Sequence, residues 1–296
     1  MKKCGFIAVI GAPNAGKSTL INSLVGSKVT IVSHKAQTTR NRILGVALKG
    51  ETQIILMDTP GIFSTPKSRL EKNMVRQAWT SLREADGIMV VVDANRQSFD
   101  QATLILERLK DTEKRLILVL NKIDLIPRDN LLALAAQFAP LIKDRIFMVS
   151  ALTGDGVEDI KAYWEEHLPA DTWLFPEDQL SDLPLRLLSA EITREEIFNR
   201  LHEELPYAIW VETEAWEEFK NGSVKITQCI YVRKESQKPI VLGKEGHQIK
   251  AIGAASRKQL IDILERPVHL FLHVKVKTNW MDDPRLYKSV GLSFKE

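Results

Sequence analysis

The sequence predicts an α/β domain with a mostly parallel sheet and helices on both faces, followed by a smaller α+β domain. Up to about residue 168, continuous apolar runs alternate with amphipathic helical patterns. A stretch with three prolines and several acidic residues, but no periodicity, comes next. Beyond it the pattern changes to helical pairs and alternating strands, and a chain of 296 residues can bury two separate cores.

Five apolar runs predict the strands of the first domain. They are FIAVI at 6–10, IILMD at 54–58, GIMVVVD at 87–93, RLILVLN at 115–121 and IFMVS at 146–150. Runs that are apolar throughout are typical of strands covered on both faces. The segment VEDIKAYWEEHL has one apolar stripe and predicts the closing helix. We therefore expect the first domain at 1–170 and a linker at 171–184.

The second domain is expected at 185–296. Its first segment pairs Leu188 with Ile192 at helical spacing, whereas apolar residues alternate from Val224 to Val232. Strict alternation returns at 268–276. The predicted order is helix, strand, strand, glycine loop, helix, strand.

The charge of the chain is small overall but unevenly distributed. The formal net charge is +3, yet residues 177–218 carry 3 basic and 12 acidic side chains, and residues 220–277 carry 12 basic and 4 acidic ones. Such a separation indicates a basic face for a polyanion. Two cysteines provide neither a disulfide framework nor a metal cluster. Since no apolar run has the length of a membrane span, a cytoplasmic location is expected, with peripheral contact at the inner face of the cell membrane left open.

The loop GAPNAGKST lies between the first predicted strand and a helical run, and it fits the phosphate-binding pattern G-x-x-x-x-G-K-[ST]. Backbone N–H groups and the helix N-terminus can cradle phosphate oxygens, the lysine can reach the β- and γ-phosphates, and the serine hydroxyl can bind Mg²⁺. The predicted phosphate-binding residues are Gly11, Ala12, Pro13, Asn14, Ala15, Gly16, Lys17, Ser18 and Thr19.

The sequence DTPG follows a buried strand, where a carboxylate can hold the Mg²⁺ shell and a glycine N–H can contact the γ-phosphate. The predicted residues of this switch are Asp58, Thr59, Pro60, Gly61 and Ile62.

The sequence NKID follows another buried strand and places a carboxylate where a purine base would lie. Its two oxygens match the N1–H and N2–H₂ donors of guanine and nothing on adenine, which favours GTP. A backbone contact from the sequence SAL is also expected. The predicted guanine-binding residues are Asn121, Lys122, Asp124, Ser150, Ala151 and Leu152.

These motifs, in this order and at strand ends, make residues 5–168 resemble the translation-factor-like GTPases, with their P-loop, switch II, NKxD and SAx boxes. The resemblance implies hydrolysis of GTP with Mg²⁺. The sequence QTTR at 37–40 resembles the switch I threonine box, with Thr38 in the switch and Thr39 joining Ser18 and Asp58 as Mg²⁺ ligands.

One residue departs from the Ras-like pattern. Ile62 stands where those enzymes place a water-orienting glutamine, and an isoleucine side chain cannot bond to water. GTPases with this hydrophobic substitution have an asparagine at the position of Asn14. The resemblance implies that the side chain of Asn14 can hold K⁺ near the phosphates. No residue is assigned as the general base.

The second glycine loop, GKEG, precedes the helical stretch HQIKAIGAASRKQLIDIL inside the basic segment. No Gly-Lys-Ser/Thr sequence completes it as a triphosphate site, but its backbone can approach a sugar-phosphate chain closely. The order of elements resembles a type II KH domain, in which such a loop clamps about four single-stranded nucleotides. The residues expected to contact RNA are Ile240, Gly243, Lys244, Glu245, Gly246, Ile249 and Lys250.

The whole chain resembles the Era family, bacterial GTPases of small ribosomal subunit assembly. Besides the boxes, LPLRLLSAEITREEIFNRLHEELPYA and NWMDDPRLYKSVG are similar to that family's segments. The resemblance implies a monomer that binds near the 3′ end of 16S ribosomal RNA and acts on the 30S subunit. Trp280 is a candidate both for RNA contact and for the core.

Two other functions accommodate part of the sequence. A membrane-associated regulatory GTPase would use the basic C-terminal domain to bind protein or anionic lipid. An ATP-dependent P-loop kinase would need an acceptor site, and the NKID sequence opposes it.

Overall fold

The computed structural model describes residues 1–33, 35, 42–62, 69–201, 205–278 and 280, and the side chains of 69 and 70 are excluded. These residues form two compact units. Within the described ranges, no helix combines the length and the apolar character that crossing a membrane requires. Both Thr38 and Thr39 lie outside the described residues.

The first unit contains a six-stranded sheet with the order β2-β3-β1-β4-β5-β6. Its strands are β1 (Lys3–Gly11), β2 (Ile43–Lys49), β3 (Thr52–Asp58), β4 (Gly87–Asp93), β5 (Arg115–Asn121) and β6 (Ile146–Val149). Its helices are α1 (Lys17–Val25), α2 (Arg69–Glu84), α3 (Asp100–Leu109), α4 (Arg128–Phe138) and α5 (Val157–His167). All strand pairs are parallel except β2 with β3. The predicted fold class is confirmed, and β2 is an element that the sequence analysis did not identify.

Alternate residues of the central strands pack on opposite faces of the sheet. In β1, Ala8 and Ile10 belong to one hydrophobic cluster, whereas Ile7 and Val9 belong to the other. Both faces are therefore covered, as the continuous apolar runs predict. The strands β1, β3, β4 and β5 end at the same edge of the sheet, and this brings the polar residues that follow them together.

The C-terminal end of α2 is fastened by a lysine. The ammonium group of Lys114 donates to the carbonyl oxygens of Leu82 at 2.7 Å, Arg83 at 2.8 Å and Ala85 at 2.5 Å. These carbonyls at the end of the helix lack intrahelical partners, and a cation there also complements the helix dipole.

The segment expected as a linker packs along β2 and β3. The amide of Gln53 donates to the Phe175 carbonyl at 2.9 Å and accepts from the N–H groups of Leu174 and Phe175. Further along, the carboxylate of Asp182 accepts from the Leu44 N–H at 2.8 Å. These bonds order the acidic segment up to residue 182 on the first unit.

The second unit contains α6 (Leu185–Arg200), β7 (Trp210–Glu218), β8 (Val224–Val232), α7 (Lys238–Leu242), α8 (His247–Leu264) and β9 (Val268–Val276). Its three-stranded sheet has the order β7-β8-β9, with β7 antiparallel and β9 parallel to β8. The described residues of 31–38 also group with this unit.

A buried polar network joins α6 to the middle of this sheet. The side chain of Gln228 is fully buried and accepts from the Thr193 hydroxyl at 2.6 Å. Its amide nitrogen lies within hydrogen-bond distance of the hydroxyls of Ser189 and Thr213. Because a buried amide needs partners for both ends, this network fixes how α6 lies on β7 and β8.

Trp280 is part of the core. Its side chain is 2% exposed, packs against Trp210 and donates its indole N–H to the Ala208 carbonyl at 2.9 Å. Of the two roles considered for this residue, the structure supports packing.

Candidate nucleotide and RNA sites

The first glycine loop runs from the end of β1 into α1. Gly16 precedes the helix in a left-handed conformation with φ of 90°, and a Cβ atom there would lie 2.2 Å from the side-chain nitrogen of Asn121. Only glycine fits this position, since both the backbone angle and the space exclude a side chain. The loop is therefore shaped by its contact with the NKID segment.

The side chain of Lys17, the first residue of α1, lies inside this loop. Its buried ammonium group donates to the carbonyl oxygens of Ala12 at 2.9 Å and Gly11 at 3.3 Å. Burial lowers the pKa of Lys17 to about 8, an effect that the nearby Asp58 opposes and Arg96 reinforces. An anionic ligand in the loop would favour the charged form of this lysine.

The two predicted Mg²⁺ ligands with described side chains lie together. The Ser18 hydroxyl donates to the Asp58 carboxylate at 2.9 Å, and Asp58 is fully buried. A hydroxyl beside a buried carboxylate is a donor set that fits a hard divalent cation. Thr39, the third predicted ligand, lies outside the described residues.

The described part of the switch is held against the first loop. The Thr59 hydroxyl donates to the Val9 carbonyl at 2.7 Å, and the Ile62 N–H donates to the Gly11 carbonyl at 3.1 Å. Gly61 approaches Pro13 so closely that an added Cβ would lie 3.0 Å from its atoms. Pro60 lies between these residues and is buried.

The side chain of Ile62 packs into the hydrophobic core and is 5% exposed. Its carbonyl accepts a hydrogen bond from the side-chain amide of Gln101 on α3. Ile62 therefore anchors the switch segment by packing and backbone bonds in this conformation, which agrees with its inability to orient water.

Asn121 joins the loops around the predicted base site. Its amide nitrogen donates to the Ala15 carbonyl at 3.0 Å, and its amide oxygen accepts from the N–H groups of Lys122 and Ala151. The side chain thus connects the phosphate loop to the NKID and SAL segments. In this conformation the polar atoms of Asn121 are directed to protein groups.

The carboxylate of Asp124 is exposed in a short 3₁₀ turn, where a base can reach it. Leu152 is 80% exposed, and Ser150 is buried and donates its N–H to the Asp155 carbonyl. The ammonium group of Lys122 donates to the Asn14 carbonyl at 2.9 Å and to the Asp93 carboxylate at 2.6 Å. These positions leave Asp124 and Leu152 as the open groups of the predicted base site.

The second glycine loop lies between α7 and α8. Gly243 has φ of 72°, and a Cβ there would lie 2.6 Å from the Cβ of Gln248. Glu245 and Gly246 also have positive φ, so the loop turns sharply before α8 begins. Lys244 and Lys250 are exposed beside it. The loop therefore presents bare backbone flanked by cations.

A groove of about 400 Å³ runs beside this loop, between α8 and β9. Of the predicted RNA contacts, Ile249 and Lys250 line it, and Ile240 is 55% exposed on α7. The lining residues that the sequence analysis missed are Gly253, Ala254, Arg257, Leu270, Phe271 and Leu272. These residues could be identified only from the sheet order, which places β9 at an edge of the sheet beside a basic helix.

Comparisons with known proteins match both predicted domains. Residues 6–122 match the family described as 50S ribosome-binding GTPase, and residues 204–281 match the KH domain family. GTPase Era of Rhizobium meliloti (strain 1021) is 56% identical over 293 residues, covering 99% of this chain and 93% of that protein. GTPase Era of Maricaulis maris (strain MCS10) is 53% identical over 308 residues, covering 99% and 98%.

Two solved structures are similar over almost the whole chain. Era in complex with MgGDPNP and nucleotides 1506–1542 of 16S ribosomal RNA is 40% identical, with a TM-score of 0.91, covering 98% of this chain and 99% of that one. A tyrosine-to-alanine variant of Aquifex aeolicus Era bound to GDP and AlF₄⁻ is also 40% identical, with a TM-score of 0.90 and the same coverage.

A P-loop G domain followed by a KH domain defines a GTPase with its own RNA-binding domain. The high identity over the full length of the relatives makes the assignment specific. The chain belongs to the Era GTPase family.

Proposed function

We propose that this protein is a GTP-hydrolysing switch that binds single-stranded RNA near the 3′ end of 16S ribosomal RNA and assists assembly of the 30S subunit. The observation that carries the proposal is the solved Era complex, which contains MgGDPNP and 16S nucleotides 1506–1542. Its structural match covers 98% of this chain. A cytoplasmic monomer is part of the proposal.

In the proposed nucleotide site, residues 11–19 cradle the phosphates and Lys17 contacts their oxygens. Ser18, Asp58 and Thr39 hold Mg²⁺, which neutralises charge that develops on the β- and γ-phosphates during hydrolysis to GDP and phosphate. The short distance from the Ser18 hydroxyl to the Asp58 carboxylate supports this assignment. Asn14 is exposed on the loop and is the proposed contact for K⁺.

Guanine is the proposed base because Asp124 offers two acceptor oxygens to its N1–H and N2–H₂ groups. Leu152 and the stem of Lys122 are the proposed packing surfaces for the ring. Asn121 is proposed to act by holding these segments together, since its amide bonds to Ala15 and Ala151.

The proposed RNA site is the GKEG loop with the groove between α8 and β9. The loop backbone would clamp phosphates, Lys244, Lys250 and Arg257 would neutralise them, and the apolar floor beside Phe271 would accept bases. The alternative of an anionic lipid surface is less favoured because the charged groups line a concave groove with an apolar floor.

Nucleotide state is proposed to alter RNA binding through the segment that precedes switch I. The Thr30 hydroxyl donates to the Ser18 carbonyl at 3.2 Å, close to the proposed Mg²⁺ ligand. Two residues later, the Val32 N–H donates to the Glu195 carboxylate on α6 at 2.7 Å, and the Lys35 ammonium donates to the Phe198 and Leu201 carbonyls. A short covalent path thus joins groups next to the nucleotide to a helix of the RNA-binding domain.

The test is crosslinking of the full chain to total cellular RNA with and without a non-hydrolysable GTP analogue. Small-subunit 3′-end RNA should be recovered, and more of it with the analogue. The double variant Gly243→Asp and Gly246→Asp should abolish this recovery, while Gly222→Asp, in the turn before β8, serves as the matched glycine control. Recovery of random RNA would refute the 16S assignment, and unchanged recovery with the double variant would refute the groove. Retained binding of that variant to anionic vesicles would instead favour the membrane-associated alternative.

A further inference from the structure

We propose that Arg96 is a positioning residue for GTP hydrolysis, which holds the phosphate loop at Pro13 so that Asn14 faces the nucleotide. Arg96 belongs to none of the motifs that define the G domain. It lies in the turn that follows β4, 83 residues from the carbonyl that it contacts. The proposal rests on the nucleotide site described above.

The turn at residues 93–96 fixes the base of this side chain. The Asn95 N–H donates to the Asp93 carboxylate at 3.1 Å, and the Arg96 N–H donates to the Asp93 carbonyl at 3.3 Å. From this turn, the guanidinium group of Arg96 donates to the Pro13 carbonyl, and its Nε lies 3.9 Å from the Asp93 carboxylate. The side chain therefore links the end of β4 to the phosphate loop.

A second cation holds the next carbonyl of the loop. The Lys122 ammonium donates to the Asn14 carbonyl at 2.9 Å. It also donates at 2.6 Å to the Oδ2 atom of Asp93, which is the carboxylate oxygen nearest to the Arg96 Nε. The adjacent carbonyls of Pro13 and Asn14 are thus bound by two cations, and both cations contact one carboxylate. The side chain of Asp93 is 12% exposed, whereas those of Lys122 and Arg96 are 30% and 37% exposed, so the carboxylate lies beneath two partly exposed cations.

The backbone at Asn14 needs such support. Asn14 has φ of 63°, a left-handed conformation that costs energy for residues other than glycine and persists where surrounding contacts enforce it. Bonds to the carbonyls on either side of the Asn14 Cα limit rotation of this residue. The direction of the Asn14 side chain therefore depends on Arg96 as well as on Lys122.

The charge of Arg96 also acts within the loop. Its guanidinium group is bound to the Pro13 carbonyl of the phosphate loop, and a positive charge at that place would favour an anion in the loop. The substitution Arg96→Lys separates the effect of positioning from the effect of charge, because lysine keeps the charge but lacks the planar fork of the guanidinium group.

The experiment compares Arg96→Ala, Arg96→Lys and the exposed control Arg128→Ala in the full-length protein. We expect kcat for GTP hydrolysis to fall about tenfold or more in Arg96→Ala, because small displacements of reacting groups slow chemistry strongly. The affinity for a non-hydrolysable GTP analogue should change less than about threefold. Arg96→Lys should also keep this affinity but should recover little of kcat, and Arg128→Ala should match the wild type.

A second readout is the dependence of kcat on K⁺ relative to Na⁺, which should weaken in Arg96→Ala if Asn14 loses its direction. Melting temperatures of the three variants separate positioning from folding. A wild-type kcat in Arg96→Ala would overturn the proposal. So would a loss of analogue affinity or melting temperature that accounts for the whole fall in kcat, or full recovery of kcat in Arg96→Lys.

Discussion

The hydroxyl of Ser18 lies 2.9 Å from the carboxylate of Asp58, although the two residues are 40 positions apart, one after β1 and the other at the end of β3. The parallel pairing of β1 with β3 produces this proximity, because both strands end at the same edge of the sheet. The sheet topology therefore assembles the divalent cation site from two separate motifs.

Replacing Ser18 by alanine should remove most of the Mg²⁺ dependence of nucleotide binding. Loss of groups that only support metal ligands costs about 10- to 100-fold in affinity, so loss of a direct ligand should cost at least as much. Calorimetric titration of a GTP analogue with Mg²⁺ and with EDTA measures the effect. Ser23→Ala on the same helix is the control, and an unchanged ratio of the two affinities in Ser18→Ala would contradict the assignment.

Nucleotide affinity should fall as the pH rises above about 8, with a slope approaching tenfold per pH unit. Below this pH, Lys17 is protonated both in the free protein and in the complex, so no proton is exchanged. Above it, the free protein has lost the proton, which the phosphates of the bound nucleotide restore. Titrations in buffers of different ionisation enthalpy should show proton uptake that rises toward one per nucleotide.

Lys17→Arg is the control for this pH dependence, since guanidinium stays charged and the variant reports the nucleotide's own titration. Equal proton uptake by the two proteins at pH 9 would show that Lys17 does not titrate in this range.

Asp124→Asn should shift base preference from guanine to xanthine nucleotides. The amide of asparagine replaces one acceptor oxygen by a donor, which pairs with the extra carbonyl of xanthine. Competition between GTP and XTP for a fluorescent nucleotide measures the shift. Asp129→Asn, at the start of α4, controls for the change in net charge, and retained GTP preference in Asp124→Asn would refute the base assignment.

Gln228→Ala should destabilise the second unit by about 3 kcal/mol, because it leaves a cavity and removes the partner of three buried or partly buried hydroxyls. Hydrogen exchange of the amides in β8 measures the stability of this unit within the full chain. Thr227→Ala, the adjacent residue on the opposite face, should have a much smaller effect. Equal protection in the two variants would show that the network contributes little to stability.

Local signals predicted the fold class and both glycine loops. The strand β2 was missed because a short apolar run such as ILGVALK cannot be assigned by periodicity alone. The packing of residues 171–182 depends on Gln53 and Leu44, which are far away in sequence. No pattern within that acidic segment indicates these bonds.

The contacts of Arg96 and Gln101 were equally invisible in the sequence. Each side chain bonds to a single backbone carbonyl, at Pro13 and Ile62 respectively, and such contacts place no requirement on neighbouring residue types. The predicted ligands Ser18 and Asp58 could be found because phosphate and Mg²⁺ chemistry restrict both residue type and spacing.

The bonds from Lys114 to the carbonyls of Leu82, Arg83 and Ala85 hold α2 in place at its C-terminal end. A rearrangement of Gly61 and Ile62 that is transmitted to α2 would turn the helix about that end. A helix of 16 residues is about 24 Å long, so a tilt of about 10° would displace its other end by about 4 Å. α2 would thereby move at the end that follows Gly61 and Ile62 in the chain, while the end near Ala85 stays in place.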